Sequence, residues 1–221
     1  MLKALRQEAT TKKLLLTIAT SPVRYNDIEL SEIHQYVDFI NVMCYDYFGP
    51  WDNKTGHNAP LIVNEKNKRA KLENGPSQWS VSDTIQAYLT AGVPAYKIVM
   101  GMPLYARSFA GVDPVDPLFG VSTGAGAGTV EAGSYSWQHI KSTLLKDPSF
   151  VKGYDEVSQV PYLYNASKKE FISYDDEESL RLKAKHIAEK NLGGAMVWQL
   201  ENDAAIWSVL EVIHNGMNAS N

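Results

Sequence analysis

Three stretches of the chain run apolar with little alternation: KLLLTIAT at 13–20, DFINVMCYD at 38–46 and KIVMGMPLY at 97–105. A strand covered on both faces reads this way, because neither side has to meet water. AMVWQL at 195–200 is a fourth run of this kind. Between these runs the periodicity becomes helical. Helices are expected over 1–9 and 29–36. Ser80 is placed to cap a helix over 81–91, with Asp83 in its acidic first turn and Gly92 and Pro94 ending it. Asp176, Glu177 and Glu178 open a helix over 176–190 that Lys185, His186 and Lys190 close before Gly193, matching charge to the helix dipole. A last helix covers about 203–214.

One region breaks the series. Residues 108–134 are glycine-rich with two Asp-Pro pairs and read as loop. Trp137–Leu145 suits a helix. Val160–Asn165 and Glu170–Tyr174 alternate on either side of Ala166-Ser167-Lys168-Lys169, which is a hairpin signal. The expected organisation is α/β, with an α/β segment at 1–107, a loop and small α+β insertion at 108–174, and a second α/β segment at 175–221. Helices between buried parallel strands leave two architectures open, a doubly wound sheet or a (β/α)8 barrel. A full barrel typically takes roughly 250 residues; this chain has 221.

The rest of the composition mainly excludes. The net charge is -4 with no basic tract, so no nucleic acid partner is expected. No apolar run approaches the ~20 residues of a membrane span, so no membrane partner is expected either. The opening MLKALRQEATTKK is an amphipathic helix pattern without the apolar core of a signal peptide. Cys44 is the single cysteine, so there is no internal disulfide and no second thiol for a metal. The run GVSTGAGAGTVEAG follows no buried strand and lacks a P-loop lysine, which argues against a phosphate cradle.

Candidate chemistry lies after the strand cores. The first is followed by Thr20-Ser21, the second by Tyr45-Asp46-Tyr47 with Trp51 beyond, the third by Tyr105-Ala106-Arg107, and the fourth by Trp198-Gln199 with Glu201-Asn202 beyond. Flat aromatic faces with carboxylates and an arginine suit a sugar, whose ring faces are apolar and whose rim is hydroxylated. Ordinary interfacial aromatics, apolar body buried and polar tip wet, would leave the same trace.

Several motifs in register resemble glycoside hydrolase family 18, the chitinase type. MCYDY (43–47) is similar to the family's M-x-Y-D motif and TGHNAPL (55–61) to the loop after it. GMPLYARSF (101–109) resembles the seventh-strand segment. VPYLYN (160–165), FISYDDEES (171–179) and GGAMVWQLEND (193–203) resemble the insertion and the eighth strand. The resemblance implies strands five to eight of a partial (β/α)8 TIM barrel with a small α+β insertion between the last two. It implies hydrolysis of β-1,4-linked N-acetylglucosamine polymers by a substrate-assisted retaining mechanism, with no metal and no cofactor. Tyr45 would hold the N-acetyl group and Asp46 would bind the sugar. Met43 would line the floor and Trp198 would form the platform under the distorted sugar. Trp51 would stack a sugar on the leaving-group side, Arg107 would bind one on the other side, and Tyr105 would shape the pocket. Arg107 has an alternative as a structural ion-pair partner of Asp46 or Glu201, and Met43 as a core filler.

The family's general acid sits in a D-x-x-D-x-D-x-E motif that these residues do not contain; Asp113–Asp116 and Asp175–Glu178 do not match it. The chain alone is therefore expected to be inactive, and to self-associate or pair with a missing N-terminal half of the barrel. The expected partners are chitin or N-acetylglucosamine oligomers, and a full-length parent is expected to be secreted or associated with the cell wall. A chitin- or glycan-binding, lectin-like protein without catalysis is the alternative, and a purely structural role is a third.

Overall fold

A computed structural model describes residues 1–23, 28–67, 79–203 and 208–218. Among these, α1 (Leu2–Thr11), β1 (Thr17–Thr20), α2 (Leu30–Ile33), β2 (Phe39–Val42), α3 (Val81–Thr90) and β3 (Ile98–Pro103) come first in the chain. A second group follows: β4 (Tyr105–Ala110), β5 (Gly124–Ala125), β6 (Ser134–Ser136), α4 (Trp137–Ser142), β7 (Val151–Asp155), β8 (Val160–Asn165) and β9 (Glu170–Ser173). The chain then returns through α5 (Glu177–Glu189), β10 (Gly194–Trp198) and α6 (Ser208–Asn218).

Two sheets result. The order β1-β2-β3-β10 is parallel throughout, and α3 packs on β3 and α5 on β10, giving the α/β architecture. The order β5-β4-β9-β8-β7, with β6 on β4, is antiparallel. One continuous apolar cluster serves both, running from Val42 and Met100 in the first to Phe109 and Phe171 in the second.

The local signals act as their chemistry dictates. Ser80 caps α3, its Oγ accepting the Asp83 N–H. Asp176 and Ser179 form a reciprocal capping box at α5. The hairpin expected at 160–174 is β8–β9. Only Leu30–Ile33 of the expected helix at 29–36 is α-helical, and part of the segment expected as the last helix, 204–207, lies outside the described residues.

Three expectations need correction. The run 13–20 is not a strand buried on both faces: β1 begins at Thr17, and Leu14 and Leu15 are 59% and 74% exposed. β1 and β10 are the two edges of the parallel sheet, so among the described residues no further strand covers them. The run 97–105 is not one strand. It divides at Leu104, whose N–H donates to the Trp198 carbonyl at 2.7 Å and whose own carbonyl accepts the Trp137 N–H at 3.0 Å. The stretch 108–134 is not all loop, since β4 extends to Ala110 and two short strands, β5 and β6, pair with it.

Candidate active site

The division at Leu104 fixes where the candidate residues meet. β3 delivers the chain to the carboxyl end of the parallel sheet, and one residue later β4 starts in the antiparallel sheet with Tyr105 and Arg107. Tyr45 and Asp46 follow β2, the neighbour of β3, and Trp198 ends β10 on its other side, in register with Pro103. Gly101 lets these approach. A Cβ there would lie 2.7 Å from the Val42 carbonyl oxygen and 3.0 Å from the Tyr45 ring, so the absence of a side chain makes room for Tyr45 to lie across β3.

Met43, Tyr45, Asp46, Tyr105, Arg107 and Trp198 line one cavity of about 310 Å³. Trp51 stands outside this lining. Its ring occupies the space a side chain on Gly49 would fill, and the Arg107 guanidinium lies 5.1 Å from its centroid. The resemblance implies that Trp51 stacks a sugar on the leaving-group side and Arg107 binds one on the other side; here the two side chains lie against each other. Five lining residues carried no assigned role: Val130, Glu131, Ser134, Gln199 and Asn202. Glu201 does not line the cavity. Glu131 takes the second arm of Arg107, accepting from Nη1 at 3.2 Å. It arrives on the glycine-rich loop, where no local pattern marks it.

Asp46 is the polar centre. Arg107 grips it side-on, with Nε donating to Oδ1 at 2.8 Å and Nη2 to Oδ2 at 3.1 Å, and the Tyr105 hydroxyl donates to Oδ1 at 2.9 Å. Such a two-point contact fixes the plane of the carboxylate as well as its charge. The ion pair allowed for Arg107 is therefore made with Asp46, and its second acid is Glu131 rather than Glu201. Tyr45 stands edge-on to Tyr105 with ring centroids 5.9 Å apart, and its hydroxyl contacts Met196 Sδ at 3.9 Å. Burial, followed by the charge on Asp46, raises the pKa of both phenols, which keeps them protonated hydrogen-bond donors. Trp198 presents an indole that is 55% exposed, an apolar plane beside a cluster of donors and acceptors. This combination suits a ligand with one apolar face and a polar rim.

The model for glycosyl hydrolases family 18 matches residues 1–203. Chitinase A1 of Niallia circulans is 39% identical over 196 residues, covering 87% of this chain and 28% of that protein. The crystal structure of Ostrinia furnacalis group IV chitinase in complex with allosamidin superposes with a TM-score of 0.86 at 33% identity, covering 99% of this chain and 60% of that one. Human YKL-39, described as a pseudo-chitinase with retained chitooligosaccharide binding properties, superposes with a TM-score of 0.86 at 25% identity, covering 98% of this chain and 63% of that one. This chain thus spans less than two thirds of each of these relatives.

Proposed function

We propose, from the premise that this chain belongs to the glycosyl hydrolases of family 18, that it forms the sugar-binding half of a chitinase-type active site. In this reading β1, β2, β3 and β10 are strands five to eight of a (β/α)8 barrel, and the second sheet is the insertion between the last two. The observation that carries it is the meeting of Tyr45, Asp46, Arg107 and Trp198, from three separate strand ends, in one cavity.

The chemistry follows from what each group can do. An N-acetylglucosamine unit sets its apolar face on Trp198, with Met43 beneath. The Tyr45 hydroxyl donates to the N-acetyl oxygen and turns it toward the anomeric carbon, where that oxygen attacks as the bond to the leaving sugar breaks. Asp46, oriented by Arg107 and Tyr105, receives the polar edge of the sugar and supplies negative charge where an oxocarbenium-like transition state develops positive charge. The leaving oxygen needs a proton, and the two carboxyl groups in the lining, Asp46 and Glu131, are both held by Arg107. The general acid belongs to polypeptide outside these residues, so these residues alone turn over little substrate; general acid catalysis typically contributes about 10²–10⁴-fold. The open edges β1 and β10, with Leu14 and Leu15 beside β1, are where the remaining strands would close, or where a second copy would associate. Chitin-type polymers lie outside cells, which places the parent protein there or at a wall.

The second reading is a non-catalytic binding protein. It is favoured by the likeness to human YKL-39 and by a sugar wall that needs no proton donor to bind. Calorimetric titration with the N-acetylglucosamine tetramer tests the common part. Binding is expected, and Trp198→Ala is expected to abolish it. No heat at millimolar sugar overturns both readings. Turnover of the tetramer by the chain alone, lost in Asp46→Ala, overturns the assignment of the acid to other polypeptide.

A further inference from the structure

Asp46 sits at φ 62°, in the left-handed region that a residue with a side chain occupies only when its surroundings insist. Asn58 supplies that insistence. Its Oδ1 accepts the Asp46 N–H at 2.9 Å, and its Nδ2 donates to the Tyr105 carbonyl at 3.2 Å. One carboxamide thus spans the two backbones whose side chains meet over the cavity. Asn58 is fully buried and is itself held at both ends of its peptide. Its N–H donates to Ser173 Oγ at 2.9 Å, and its carbonyl accepts the Tyr47 N–H at 3.0 Å.

Behind it stands His57, also buried. Its Nδ1 lies 3.3 Å from Ser173 Oγ, and its Nε2 lies 3.2 Å from Asp155 Oδ2. Burial pushes the Asp155 carboxyl up, but hydrogen bonds from His57 and Asn64 outweigh it and hold the group well below the usual carboxylate range. The donor directions then follow. An ionised Asp155 only accepts, so His57 donates to it from Nε2; in the neutral ring Nδ1 is then an acceptor. Ser173 gives its hydroxyl hydrogen to Nδ1 and keeps a lone pair for the Asn58 N–H. Each member has a partner, the condition under which a buried polar network fixes one conformation.

We propose that Asn58, backed by His57, is a positioning residue for the sugar site, setting the backbone conformation from which Asp46 points its carboxylate into the cavity. Neither side chain lines that cavity, so both act through Asp46 and Tyr105. The inference rests on the sugar-site reading for only one of its two readouts.

The test uses the full chain and the Asn58→Ala variant. The first readout is hydrogen exchange at the Asp46 amide by NMR. It is expected to speed up by about tenfold, as loss of one buried hydrogen bond implies, while amides of β2 and β3 keep their protection. The second is affinity for the N-acetylglucosamine tetramer, expected to fall by about tenfold. In an Asp46→Ala background the same substitution should lower affinity by clearly less, because only its hold on Tyr105 is then left to act through. An Asp46 amide as protected in the variant as in the parent overturns the proposal, and so does an equal affinity cost in both backgrounds. If Asn58→Ala does not fold, Ser173→Ala gives the same readouts with smaller shifts. A parent chain that binds no sugar removes the functional reading, and the exchange measurement still decides this one.

Discussion

Replacing Lys183 by methionine tests how these residues tolerate charge in their interior. Lys183 and Asp175 form an ion pair in which each side chain is 1% exposed. Burial pulls the Lys183 ammonium down, with Asp175 pushing back. In Lys183→Met the Asp175 carboxylate keeps the Ser179 hydroxyl at 2.7 Å and loses its counter-charge. Breaking a buried pair from one side costs about 3–5 kcal/mol. Urea unfolding at pH 7 should therefore show a midpoint lower by about 2 M, at an m-value of about 2 kcal/mol/M. Lys183→Met combined with Asp175→Asn, which removes both charges and keeps an acceptor for Ser179, should recover most of it at pH 7. A single variant as stable as the parent at pH 7, or a double variant as weak as the single, refutes the reasoning.

Two further outcomes follow from other groups. Arg107→Lys keeps the charge but loses the fork that holds both Asp46 oxygens and Glu131; tetramer affinity by calorimetry should fall nearly as far as in Arg107→Ala, and full affinity in the lysine variant would show that charge alone suffices. Asp155 stabilises the fold while ionised, and because its folded-state pKa is depressed, this stability is complete above about pH 4 and is lost as pH falls through the depressed value. Urea midpoints measured from pH 6 to pH 2 should therefore drop less in Asp155→Asn than in the parent, and parallel curves would count against this role.

What the sequence disclosed was chemistry expressed within a few residues. The caps at Ser80 and at Asp176–Ser179, the β8–β9 hairpin, and the groups after each strand core all depend on neighbours close in the chain. Tyr45, Asp46, Tyr105, Arg107 and Trp198 lie far apart in the chain but each follows a strand core, and strand ends in an α/β sheet share one rim; Met43 came from the resemblance alone. The rest depended on the path of the chain. KIVMGMPLY carries no mark of the break at Leu104, which comes from the competition of two sheets for consecutive segments. Glu131 reaches Arg107 across 24 positions of a glycine-rich loop with no periodicity to read. Lys183 lies in a helix opened and closed by charges and looks solvated in sequence; only the packing of α5 buries it beside Asp175. Leu14 and Leu15 look like core because their chemistry is apolar, and their exposure is set by which strands flank β1.

The joint at Leu104 bears on how such a pocket diversifies. One wall of the cleft, with Tyr45 and Trp198, is fastened to the parallel strands, and the other, with Arg107 and Glu131, belongs to the antiparallel layer. The chain passes from one to the other at Leu104, and the Arg107–Asp46 pair joins them across the cleft. Lengthening or recomposing the 111–133 loop can therefore reshape the wall that carries Glu131 while the wall that carries Tyr45 and Trp198 stays in place.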